Sequence, residues 1–335
     1  MTQPNSDVHY SFDCVGEPLA GKLVLITGIT RSGTTLLGNL VGSLKSIEYD
    51  FEPWIFHCVP MMVASGQIQQ RAAVEIFRGY FNETLTASLH GRNVNFRPTD
   101  DTRIWNRVPL DEIFFRWYQV KDRWEVKRYA QKHESILSFK VTNFGPFLSL
   151  LWNAFPQLKI IHIVRHPLHV AASILKKGWV NLERVQQLEG LPVKKKFITD
   201  RGESLFIPWW VEEEEVEAFL KMTEFGRAFY CWRVVMEKTE QEKRRLGLTG
   251  NSNERYAEFR YEDLLKDPNL FMEQAAQFAG TVTTPQTQAL IQTVRRERLN
   301  EKLDFPLDEI PEREKRRAAE LIEASPYAYE LPQFA

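Results

Sequence analysis

The sequence predicts an α/β protein, a central parallel sheet flanked by helices. Three observations carry that reading. Short apolar runs at 22–27, 135–141 and 158–164 have the look of buried strands. Segments with helical apolar spacing lie between them, the alternation that builds a parallel sheet. Gly28 and Gly33 bracket a tight turn between the first run and its helix.

The elements follow in order. Residues 1–20 read as a lead-in. KLVLIT (22–27) is a strand ending at Gly28, and Thr34 to Leu44 carries apolar residues at Leu36, Leu37, Leu40, Val41 and Leu44, a helical spacing. IEYDFEPW (47–54) is a second strand ending near Glu52. Residues 60–90 read as helical and 90–107 as polar loop. SILSFKV (135–141) is a third strand, with a helix after Pro146. LKIIHIV (158–164) is the plainest strand, and Pro167 opens the next helix, where a missing N–H is harmless. Residues 188–210 mix Gly, Pro, a basic triplet and two tryptophans, and read as a long loop, a lid or insertion reaching to 212. Glu212 to Lys238 reads as one long helix with acids in its first turn. RYAEFRY (255–261) is a further strand, followed by helices. No repeat, low-complexity tract or linker is visible, so 21–335 is expected to be one domain.

Composition removes several classes of function. Of 335 residues, 43% are hydrophobic and 26% charged, as in an ordinary globular protein, with a formal net charge of −1. That balance gives no support for a nucleic-acid binder held by phosphate neutralisation. The three cysteines, Cys14, Cys58 and Cys231, lie far apart without metal-ligand spacing, which suits a reducing compartment. The first residues lack a signal-peptide pattern and no apolar run reaches the ~20 residues that span a bilayer, so a cytoplasmic location is expected.

The turn GITRSGTT carries the chemistry. A strand–turn–helix aims free helix N–H groups at the carboxyl edge of a sheet, where anions bind. Gly28 and Gly33 permit the turn, and Ser32, Thr34 and Thr35 add hydroxyls. The pattern fits a nucleotide-hydrolysing loop, G-x-x-x-x-G-K-[ST], except that Thr34 stands at the lysine and Arg31 sits inside the turn. LKIIHIV is followed by Arg165, not by a magnesium-holding aspartate. A P-loop kinase or NTPase is therefore the weaker alternative, and a non-catalytic nucleotide-binding protein a second one.

TRSGTTLL resembles the 5′-phosphosulfate loop of sulfotransferases that use 3′-phosphoadenosine 5′-phosphosulfate (PAPS), above all the arginine-bearing tyrosylprotein and carbohydrate branches. KIIHIVRHPLHVAASIL is similar to their 3′-phosphate segment, with Arg165 at the strand end and Ser173 eight residues on. FRYEDLLKDP (259–268) is similar to the segment that sets an aromatic residue near the adenine, here Tyr261. The resemblance covers roughly 22–280 and implies a three-layer architecture like that of P-loop nucleoside kinases. It implies sulfuryl transfer from PAPS to an acceptor hydroxyl, less readily an amine, with release of 3′,5′-ADP.

The resemblance also implies roles. Arg31, Ser32, Gly33, Thr34, Thr35 and Leu36 would hold the 5′ end, and Arg165 and Ser173 the 3′-phosphate. Arg31 would stabilise charge on the departing nucleotide, a role Lys140 could share or else stand as a solvated strand-end lysine. Protein cations would take the place of a metal. The small-molecule branch has a histidine after a KTH-like strand end, whereas this chain has FKVTNF. In the tyrosylprotein branch a glutamate follows the loop arginine by 21 positions, as Glu52 follows Arg31 here, which makes Glu52 the favoured general base over His57. Trp209, Trp210 and VKKK (193–196) could form an acceptor lid or could be core tryptophans and a solvated lysine run. A small-molecule, glycan or lipid-linked acceptor is expected.

Overall fold

In the computed structural model, residues 19, 21–187, 194–198, 202, 204–248, 253–300, 304–324 and 329 are described. Among them, five strands make one parallel sheet: β1 (Lys22–Gly28), β2 (Ile47–Phe51), β3 (Ile136–Thr142), β4 (Leu158–Val164) and β7 (Tyr256–Arg260). Their spatial order is β2-β3-β1-β4-β7. β1 is central, pairing in parallel with β3 up to Gly28↔Thr142 and with β4 up to Gly28↔Ile163. This register brings the carboxyl ends to one edge.

Alternation along the strands divides the core into layers. Leu23, Leu25, Leu137, Phe139 and Ile160 pack on one face with α2 (Ile55–Ala64), α3 (Gln70–Leu89), α5 (Arg123–Lys132) and α6 (Leu148–Trp152). Val24, Ile26, Ile136, Ile161 and Ile163 pack on the other with α1 (Thr34–Gly42), α11 (Tyr261–Lys266), α12 (Pro268–Ala279) and α13 (Pro285–Ile291). A further apolar cluster joins α7 (Pro167–Leu175), α9 (Val216–Lys221), α10 (Glu224–Arg245) and α14 (Glu312–Glu323). α4 (Leu110–Gln119) and α8 (Leu182–Gln186) complete the α-helices among the described residues. The α/β class with a helix-flanked parallel sheet is as expected from the sequence. No helix among the described residues is long and apolar enough to cross a membrane.

The structure corrects two expectations. Residues 194–198 and 204–208 are not loop but an antiparallel hairpin, β5 (Lys194–Ile198) and β6 (Ser204–Pro208); 188–193, 199–201 and 203 lie outside the described residues. Lys194 donates to the Val185 carbonyl and Lys195 to that of Val211, at 2.7 and 3.0 Å. These two lysines clamp the hairpin to the body. The predicted helix from Glu212 is broken at Met222, whose backbone is extended, because Thr223 caps a new helix by accepting from Gly226 N at 3.0 Å. The lead-in falls almost wholly outside the described residues, as does Cys14.

Candidate active site

Parallel strands end together, so the residues that follow them meet. Thr30 and Arg31 come after β1, Glu52 after β2, Asn143 after β3, Arg165 after β4 and Tyr261 after β7. Backbone geometry at these ends is unusual. Arg31, Glu52 and Asn143 have φ of 70°, 46° and 58°. Asparagine tolerates this left-handed region, but other L residues with a Cβ lose roughly 1–2 kcal/mol there. Hydrogen bonds hold the conformations. Glu52 N donates to Lys140 O at 2.9 Å, and Asn143 N to Gly28 O at 2.8 Å. Asn143 Oδ1 accepts from Thr30 N at 2.8 Å, and Arg165 Nη1 donates to Arg31 O at 3.0 Å.

The turn itself is built for close approach. Ser32 N donates to Ile29 O at 3.0 Å, closing it. Gly33, at φ 90°, precedes α1 without a side-chain cap, which leaves the first helical N–H groups facing the cleft. A Cβ on Gly33 would lie 2.3 Å from the ring of Tyr261, and one on Gly28 would lie 2.4 Å from Ile163 O. Thr34 is buried, Leu36 half-buried and Thr35 exposed, and all three line the cleft. Ser32 Oγ is buried and has no hydrogen-bond partner among the described residues. A buried, unpartnered hydroxyl in such a turn fits a ligand with acceptor oxygens.

The cations converge on this turn. Arg31 Nε donates to Ser173 Oγ at 3.0 Å, and its guanidinium lies 5.5 Å from the Trp179 ring centre. Ser173 and Arg31 therefore adjoin, although the sequence reading gave them to different ends of one nucleotide. Arg165 lies 4.5 Å over Tyr261. Lys140, 1% exposed, donates to Glu52 Oε1 at 2.5 Å and sits 4.3 Å over Phe51. Burial lowers the Lys140 pKa despite Glu52 beside it. Burial, then Arg298, lowers that of Arg31. Arg165 is likewise lowered by burial first, with Arg298 and Arg31 adding to the effect against Tyr261 and Glu262. Half-buried Arg31 and Arg165 and exposed Arg298 thus share a field that an anion would relieve.

Two adjoining cavities meet at Glu52. The larger, about 930 Å³, runs from the turn past Lys140, Arg165 and Tyr261 to Arg298 on one side and Arg103 on the other. It lies at the upper end of the ~300–1,000 Å³ usual for ligand sites. The smaller, about 190 Å³, is lined by Phe56, His57, Phe147, Trp179, Trp209 and Trp210 among others, and shares Thr30, Glu52, Thr142 and Trp179 with the larger. Sequence reasoning missed Asn143, Trp179, Arg103 and Arg298. A Thr-Asn pair straight after a strand was the available signal for Asn143; the others reach the cleft from distant segments.

Among solved structures, the chain resembles the sulfotransferase domain of the Synechococcus PCC 7002 olefin synthase, at 17% identity over 97% of this chain and 100% of that one, TM-score 0.47. A sulfotransferase domain from the curacin biosynthetic pathway aligns at 16% over 93% and 99%, TM-score 0.48. Retinol dehydratase in complex with androsterone and inactive cofactor PAP aligns at 15% over 95% and 84%, TM-score 0.37. Likenesses this loose assign no residue roles. No curated protein matches the chain. Residues 24–192, just over half of the sequence, match the profile described as the sulfotransferase family, and the chain belongs to that family.

Proposed function

We propose that the chain moves a sulfuryl group from PAPS to an acceptor hydroxyl, less readily an amine, and releases 3′,5′-ADP. The observation that carries this reading is the convergence of Arg31, Arg165 and the helix-start turn on a cleft that also holds the Lys140–Glu52 pair. Sulfuryl transfer resembles phosphoryl transfer, with a loose in-line transition state, so positioned cations do most of the work. The turn, from Ser32 to Leu36, binds the 5′ end through backbone N–H groups and hydroxyls. Arg165 binds the 3′-phosphate, joined by Ser173 once its hydroxyl leaves Arg31 Nε, and Tyr261 flanks the nucleoside. Arg298 adds charge that the sequence reading did not include.

Glu52 takes the acceptor proton. Lys140 occupies Oε1, which leaves Oε2 for that task. The acceptor oxygen bonds to sulfur as the bond from sulfur to the 5′-phosphate oxygen breaks, and that oxygen keeps the electron pair. Arg31 and Lys140 stabilise the resulting charge.

A thermal-shift comparison of 3′,5′-ADP, 5′-AMP and Mg-ATP tests the nucleotide assignment. Binding stabilises by RT ln(1 + [L]/Kd), about 2.7 kcal/mol at a hundredfold excess over Kd. The largest shift is expected with 3′,5′-ADP. Stabilisation by Mg-ATP with none by 3′,5′-ADP would favour a P-loop kinase instead. Binding of 3′,5′-ADP without turnover on any acceptor would make the chain a non-catalytic nucleotide binder.

A further inference from the structure

The smaller cavity takes its polar groups from the sheet edge and, on its helical walls, from His57 and Cys231. Thr30, Glu52, Thr142 and Asn143 all follow or end strands of the sheet, so their polar groups lie at the carboxyl edge. The walls are Phe56, Met61, Phe147, Ile174, Trp209 and Trp210, drawn from helices and the segment after β6. Phe147 and Trp209 touch, with ring centres 5.0 Å apart. Among the lining residues the ionisable side chains are Glu52, His57 and Cys231. Burial lowers the His57 pKa and raises that of Cys231, so both stay neutral around pH 7. This cavity offers an anionic acceptor no cation except those already facing the nucleotide cleft.

Size narrows the choice further. The cavity measures about 190 Å³, a little more than the ~150 Å³ apolar cavity known to take benzene. One ring with a small substituent fills it. A sugar would bury several hydroxyls against Trp, Phe and Ile, where they find no partners. Chemistry favours an aryl alcohol over an alkyl one, because a phenol gives up its proton near pH ~10, far more readily to a carboxylate.

Resting on the sulfuryl-transfer reading above, we propose that the acceptor is a neutral one-ring phenol, its ring against the Phe147–Trp209 wall and its hydroxyl at Glu52. Trp209 and Met61 set this preference, since both are half-buried and border the space the ring takes.

The test measures transfer of labelled sulfate from PAPS to 4-methylphenol, methyl glucoside and an acidic tyrosyl peptide. The expected kcat/KM for 4-methylphenol is at least a hundredfold above the other two. Met61→Phe and Trp209→Ala should each raise the KM for 4-methylphenol at least tenfold while 3′,5′-ADP affinity stays within twofold. The two variants guard each other, as one fills the cavity and the other removes a wall. Equal or better use of the glucoside or peptide, or an unchanged KM in both variants, overturns the acceptor assignment alone. A wild-type chain that binds no 3′,5′-ADP overturns the sulfuryl-transfer reading and this inference with it.

Discussion

Gly33→Ala perturbs the turn at its tightest point, and its cost divides into two parts that can be measured separately. At φ 90° the new side chain meets left-handed strain, worth roughly 1–2 kcal/mol. Its Cβ would also lie 2.3 and 2.5 Å from the Tyr261 ring carbons. Tyr261 is 4% exposed and packed with Leu264, Leu265 and Phe271, so it cannot swing away freely. Overpacking of this kind adds about 1–3 kcal/mol. In a Tyr261→Ala background the clash disappears and only the backbone part remains, so a double-mutant cycle by urea unfolding should give a coupling of about 1–3 kcal/mol. Displacing Tyr261 also disturbs its face contact with Arg165, so 3′,5′-ADP affinity in Gly33→Ala should fall about tenfold, or about 1.4 kcal/mol. Costs that add within about 0.5 kcal/mol would refute the packing argument.

Three further outcomes are expected. Arg31→Ala should reduce turnover by at least a hundredfold, as loss of a transition-state donor does, yet keep 3′,5′-ADP binding within about tenfold; Arg165→Ala should do the reverse, and calorimetry with single-turnover rates separates them. Lys140→Met leaves Glu52 without its cation; a broken buried pair costs about 3–5 kcal/mol, but Glu52's side chain is 34% exposed, so about 1–2 kcal/mol is expected in urea melts, together with a large loss of turnover. Burial would raise the Glu258 carboxyl pKa, but His162 and Lys243 outweigh it and hold it at about 2, below its ordinary 4.5. Its contribution is therefore complete above about pH 4.5 and lost as pH falls toward about 2. Glu258→Gln should be less stable than wild type at neutral pH, and the gap should close on acidification; a gap independent of pH would contradict the assignment.

Much of this site was legible because parallel strands impose a common edge. Once the runs ending at Gly28, Val164 and Arg260 are read as strands, Arg31, Arg165 and Tyr261 must converge. The spacing of Glu52 from Arg31 found a residue that the fold sets against Lys140. What escaped reading depends on partners remote in sequence. Asn143 matters because it holds Thr30, 113 positions away; the Thr-Asn pair after the strand marks the residue but not its distant partner. Arg298 follows α13 in a charged stretch that looks solvated until the chain folds it over the cleft. The hairpin of β5 and β6 was hidden because its lysines suggest solvent, whereas two of them bind backbone carbonyls. α4 and α5 went unread too, although Leu110, Ile113, Phe114, Trp117 and Tyr118 of α4 recur at helical spacing; what no local pattern shows is that all of these but Ile113 stay exposed.

Single-turnover transfer of labelled sulfur decides whether the chain moves a sulfuryl group from PAPS to an acceptor. Enzyme in excess is mixed with PAPS labelled at sulfur, a panel of hydroxyl acceptors and no added metal, and both products are followed. Label is expected in a sulfated acceptor with an equal amount of 3′,5′-ADP, at a rate lowered at least a hundredfold by Arg31→Ala. Release of label only as inorganic sulfate, or equal transfer by wild type and Arg31→Ala, would contradict that expectation.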